Sequence, residues 1–127
     1  MLFVGLIFVS AVNPAFSFEA EFKGVKIYNS QCREGYPFVI HEFYRIHNAD
    51  LADLVYKDGG FMTVIKMTDD KGHAVREYCA GANWKSTYNV TFMKASTGEK
   101  SNKMTFYLNV RTANVIEARP PKLRRIK

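Results

Sequence analysis

The residues of this chain best suited to proton transfer or phosphoryl chemistry are His41, His47, His73, Arg76, Glu77 and Arg111. Imidazoles titrate near neutrality. Arg76, Glu77, Arg111 and His73 together contain a base, a phosphate clamp and an acid. Cleavage of RNA needs those three parts, because it deprotonates a ribose hydroxyl, stabilises charge on phosphorus and protonates the leaving oxygen. The spacing works against this constellation. Arg76 and Glu77 are adjacent, and neighbours on a regular strand point to opposite faces. His41 and His47 do not fall on one helical face as metal ligands would, and His73 sits in a predicted turn. These groups therefore read as solvated or structural, and no catalytic residue is assigned. Two cysteines without clustered histidines cannot close a zinc site, so neither metal nor cofactor is expected.

The elements that position these groups are clearest in the second half of the chain. Trp84, Ser86, Tyr88, Val90 and Phe92 alternate with polar residues, as do Met104, Phe106, Leu108 and Val110. That period of two predicts two half-buried strands, with Trp84 in the core. Ala95 to Lys103 is a long polar connection between them. Phe61–Met67 and Ala74–Cys79 flank Thr68-Asp-Asp-Lys-Gly72 and predict another hairpin, giving four sequential antiparallel strands. Glu21–Tyr28 predicts a further strand, with Gly24 weakening it or marking a bulge.

Residues 36–56 decide the fold class. As a helix they place Ile40, Phe43, Tyr44, His47, Leu51, Leu54 and Val55 on one face, with Pro37 in the first turn and Gly59-Gly60 past the end. As a strand, Phe38, Ile40, Tyr44 and Ile46 alternate, and Asn48-Ala-Asp50 could cap a short helix after it. The helical reading is preferred. It makes the protein α+β, with one helix packed on a four- to five-stranded antiparallel sheet; the alternative is a six-stranded β-sandwich.

Compartment and charge narrow the function. Leu2–Val12 is a short apolar run followed by Ala15-Phe16-Ser17, so residues 1–17 read as a signal peptide and the chain as secreted. The run is shorter than the roughly 20 residues that span a bilayer, and no membrane span is expected. Residues 18–118 are then a single domain and residues 119–127 a tail. In an oxidising compartment, Cys32 and Cys79 read as one disulfide, worth on the order of 4 kcal/mol on the chain-entropy model. Asn89-Val-Thr91 matches the N-glycosylation acceptor pattern and puts Asn89 on the polar face of its strand. Most of the net charge of +6 resides in the tail, in Arg119, Lys122, Arg124, Arg125 and Lys127. Those five are the candidate polyanion contact, while Pro120-Pro121 keep the segment extended.

With Tyr28 upstream, Cys32-Arg-Glu-Gly-Tyr-Pro-Phe38 leading into the ambiguous segment resembles the ribonuclease-like secreted effectors of powdery mildew fungi. With that segment as a strand, the order of Cys32 and Cys79 is instead similar to the six-stranded sandwich effectors of blast fungi. The first resemblance implies a ribonuclease scaffold kept without necessarily keeping catalysis. Both imply a secreted virulence effector, reaching the extracellular space or a host cell, with a host protein or RNA as partner. A helix followed by four strands also resembles the cystatin-type protease inhibitors. Their first inhibitory hairpin would correspond to Thr68-Asp-Asp-Lys-Gly72, which lacks the Gln-x-Val-x-Gly pattern, and Trp84 follows Asn83 rather than proline. The expectation is a non-enzymatic binding protein, with a secreted ribonuclease and a cysteine-protease inhibitor as alternatives.

Overall fold

The computed structural model describes residues 16–118. Most of the proposed signal peptide, and all five tail cations Arg119, Lys122, Arg124, Arg125 and Lys127, lie outside the described residues. Nine strands follow one another: β1 Glu19–Tyr28, β2 Phe38–His47, β3 Leu54–Asp58, β4 Phe61–Val64, β5 Lys66–Met67, β6 His73–Ala80, β7 Lys85–Lys94, β8 Met104–Asn109 and β9 Asn114–Ala118. They form two antiparallel sheets, one in the order β1-β2-β6-β5 and the other in the order β4-β3-β7-β8-β9.

The architecture is all-β, which corrects the α+β expectation: no helix occurs among the described residues. Residues 36–56 hold β2, a turn and the start of β3. Along β2, Ile40, Glu42, Tyr44 and Ile46 are buried, while Val39, His41, Phe43, Arg45 and His47 occupy the opposite, half-covered face. A helix would have grouped Phe43 with Ile40 and Tyr44. The density of β-branched and aromatic residues favours the pleated surface instead, because both faces can be packed against cross-strand neighbours. Asn48 and Asp53 turn the chain at positive φ (52° and 55°), and the Asp50 carboxylate accepts the Ala52 N–H at 3.1 Å. Asn48-Ala-Asp50 is thus part of a turn and caps no helix. The six-stranded alternative differs as well, in its strand number.

Two further elements depart from expectation. Phe61–Met67 is not one strand: β4 belongs to the five-stranded sheet and β5 to the four-stranded one, with Ile65 buried at the crossing. The β5–β6 and β7–β8 hairpins form, but β6 and β7 lie in different sheets, so the four strands are not one meander. β9 extends the five-stranded sheet where no strand was predicted.

The inner faces of the two sheets share one core. Phe22 of β1 stacks on Phe106 of β8 at 4.1 Å, and Tyr44 of β2 meets Phe92 of β7 edge-on at 5.1 Å. Each such pair adds about 0.5–1.5 kcal/mol beyond its buried area. The Asn102 side chain ties the edge of β1 to the segment before β8, accepting from the Ala20 N–H at 2.8 Å and donating to its carbonyl at 3.0 Å. The Gly24 position is a bulge: the β1–β2 register shifts between Phe22 and Gly24, with Gly24 at φ +122°. The Cys32–Cys79 disulfide joins the loop after β1 to the end of β6, with its Cα atoms 5.6 Å apart.

Candidate functional site

The inner faces of β2 and β6 place a charged pair inside the core. Glu42 is fully buried, and Arg76 is its cross-strand partner. Glu42 Oε1 accepts the hydroxyls of Tyr44 (2.7 Å) and Tyr56 (2.8 Å). Arg76 Nη1 donates to Tyr56 Oη at 2.9 Å and, more weakly, to Glu42 Oε2 at 3.4 Å. The guanidinium also lies over the rings of Tyr78 (4.2 Å), Tyr56 (4.6 Å) and Phe61 (5.0 Å), a placement that favours a cation over the negative face of each ring. Beyond it, the Tyr78 hydroxyl and Trp84 Nε1 both donate to Tyr88 Oη at 2.9 Å. Burial, followed by the Glu42 carboxylate, pushes the phenols of Tyr44, Tyr56 and Tyr78 well above their ordinary range. Burial also opposes the Arg76 charge, but Glu42 and the surrounding tyrosines outweigh it and raise the pKa. The network is internally satisfied, which is the condition under which a buried charge is tolerated.

The outer faces of the same strands carry a second polar set. Lys26, His41 and Glu77 are cross-strand partners in one row over β1, β2 and β6. The His41 Nε2–H donates to Glu77 Oε2 across 2.8 Å, and the Tyr28 ring meets the imidazole edge-on at 4.8 Å. The structure therefore separates the sequence-derived ribonuclease set. Arg76 points inward, Glu77 pairs outward with His41, His73 pairs with Asp69 at 2.7 Å, and Arg111 is exposed in the β8–β9 turn. His47 approaches Glu21 at 3.5 Å. Two hydrogen bonds from His73, together with the Lys71 N–H, hold the Asp69 carboxyl down at about 2.

A third feature is the corner where the chain passes from one sheet to the other. β4 pairs only with β3 and is an edge strand. Phe61, Met62 and Val64 on it are exposed, Val64 to 79 %. An open cleft of about 350 Å³ runs beside this edge, lined by Phe61, Thr63, Val64, Lys66, Arg76, Glu77 and Tyr78, so the outer end of the buried network reaches the surface there.

Trp84 is 43 % exposed rather than core, and its indole N–H donates to the hydroxyl of the buried Tyr88. Asn89 is exposed on β7 as the alternation implied, and its Oδ1 accepts the Thr105 hydroxyl at 2.9 Å. Sequence reasoning overlooked Glu42 altogether. The signal was there: Phe38, Ile40, Tyr44 and Ile46 alternate with a carboxylate in the missing slot, and Arg76 holds the matching slot between Ala74 and Tyr78. Among the described residues, no group of three or more His, Cys, Asp or Glu side chains could hold a metal ion, and no helix is long and apolar enough to cross a membrane. No family model, curated protein or solved structure matches the chain.

Proposed function

We propose that this chain is a secreted, non-enzymatic binding protein that takes an extended segment of a partner protein along the open edge of β4. The observation that carries this reading is the edge itself. Natural sheet edges are blunted by charge, proline, bulges or shortness, because their unpaired backbone groups otherwise recruit another strand. β1 carries lysines, glutamates and the Gly24 bulge, β9 carries Glu117, and β5 has two residues. β4, Phe-Met-Thr-Val, has no charge and no bulge. An added strand would complete its hydrogen bonding and set apolar side chains beside Met62 and Val64. The resemblance to secreted fungal effectors makes the partner a host protein, and the Cys32–Cys79 bridge is compatible with an oxidising compartment.

A photo-crosslinking residue at Met62, compared with one at Lys85, tests this in extracts of candidate host tissue. A protein captured from position 62 only, and lost when Val64→Lys is added, supports the reading. Equal capture from both positions, or capture insensitive to Val64→Lys, overturns it.

One observation favours a second reading, a secreted ribonuclease: the His41–Glu77 pair with Lys26 in line presents an acid, a base and a cation on one face. The row lies on an open sheet surface, whereas a catalytic site usually excludes water. RNA turnover by the purified protein that disappears in both His41→Ala and Glu77→Gln would replace the binding-only reading.

A further inference from the structure

The outer face of the five-stranded sheet carries an open cleft of about 310 Å³, lined by Lys57, Gly59, Asn89, Thr91, Lys100 and Lys103. No carboxylate lines it. Lys57 and Thr91 are cross-strand partners on β3 and β7, so their side chains rise together, with Asn89 two residues back on the same face. Lys100 and Lys103 come from the segment between β7 and β8, whose middle is anchored inward. The Ser101 N–H donates to the Phe92 carbonyl at 2.8 Å, the Ser101 hydroxyl oxygen accepts the Phe92 N–H at 2.9 Å, and Asn102 holds Ala20. Those anchors leave the two flanking lysines exposed. Among the described residues none of the three ammonium groups is in an ion pair; the nearby Asp58 carboxylate instead accepts the Asn89 N–H at 3.3 Å, and Glu99 faces Lys94 at 3.9 Å. The Thr105 hydroxyl donates to the Asn89 oxygen, which leaves the carboxamide N–H₂ available as a donor.

We infer that this cleft binds a sulfated polysaccharide, with Lys57, Lys100 and Lys103 meeting the sulfate groups and Asn89 and Thr91 meeting sugar oxygens. Three compact ammonium charges in a lining that holds no carboxylate raise the local concentration of a polyanion. The lining contains no aromatic ring for stacking a base and no arginine fork for a phosphate, the features by which single-stranded nucleic acid is usually held. Neutral donors between the cations suit a ligand that alternates sulfate and hydroxyl. The inference places a polyanion contact on the folded domain, separate from the five tail cations.

The test is binding of a heparin oligosaccharide to the full chain, produced without a glycan on Asn89. The variant Lys57→Gln/Lys100→Gln/Lys103→Gln should lose affinity by about tenfold or more and show a flatter salt dependence. The charge-matched control Lys23→Gln/Lys71→Gln/Lys85→Gln should lose much less. Lys57 is half-buried and the other five lysines are exposed, and an unchanged melting temperature establishes that each variant is folded. Equal losses in the two variants would overturn the inference. So would retention of binding by the first variant together with its loss on removing residues 119–127, or tighter binding of a length-matched single-stranded RNA to the same three lysines.

Discussion

Two acid–base pairs sit one residue apart on the same two strands and have opposite fates. Glu42 and Arg76 face inward, and His41 and Glu77 face outward. The inward pair is enclosed by Tyr44, Tyr56 and Tyr78, with the Glu42 carboxylate wholly out of water. The outward pair is shorter, at 2.8 Å against 3.4 Å, yet its Glu77 side chain is 64 % exposed. Contact distance is therefore a poor guide to which pair matters. Solvent screens the outer pair and leaves it worth at most about 1 kcal/mol, whereas removing one partner of a buried pair strands a charge at a cost of about 3–5 kcal/mol.

The largest expected effect follows from the inner pair. Glu42→Leu should destabilise the protein by about 3–5 kcal/mol in urea unfolding, because it leaves the guanidinium without its counter-charge and two tyrosine hydroxyls without their acceptor. Glu42→Leu combined with Arg76→Met should recover most of that loss, since neither charge then remains to be compensated. A double variant as unstable as the single one would show that tyrosine satisfaction, rather than charge pairing, dominates the site.

Alkaline titration examines the same cluster without mutation. Burial raises the phenols of Tyr44, Tyr56, Tyr78 and Tyr88 in the folded protein, while in the unfolded chain they ionise near pH 10. Their contribution is thus fully present below pH 10 and is lost as pH rises above it, because the unfolded chain releases protons that the folded one retains. Phenolate absorbance should show these four of the seven tyrosines ionising only together with unfolding. Gradual ionisation of all seven before loss of structure would mean that the cluster is open to water.

On the outer face, Glu77→Gln should change stability by less than about 1 kcal/mol, the ordinary range for an exposed pair. A loss comparable to that of Glu42→Leu would erase the distinction between the two faces.

The smallest effect belongs to the exposed Asp69–His73 contact. The Asp69 carboxyl is held near 2, below its ordinary 3.8, so its support is present above about pH 4 and fades as pH falls toward 2. Asp69→Asn should remove that shallow acid-side slope from a series of melting curves and leave the alkaline behaviour untouched.

The strands most legible in the sequence, β7 and β8, have one apolar and one polar face, so a period of two shows at once. β2 was harder to read for a reason now visible. Its inward row is interrupted by Glu42, and its outward row is half-covered and partly apolar, which together mimic a helical stripe. β4 and β5 read as one strand because nothing local marks the crossing at Ile65.

By itself the sequence determined the alternating strands of the second half, the two hairpin connections and the pairing of its only two cysteines, and it narrowed Gly24 to a weak point or a bulge. Each of these is a local or combinatorial property of the chain. Only the tertiary structure decided that residues 36–56 are extended, that β6 and β7 part into different sheets, and that Lys57, Lys100 and Lys103 converge on one cleft. The physical reason is the same in each case. A buried carboxylate, a sheet change and a charge cluster all depend on partners distant in sequence, such as Arg76 and Tyr56 for Glu42, and a segment's own pattern does not contain those partners.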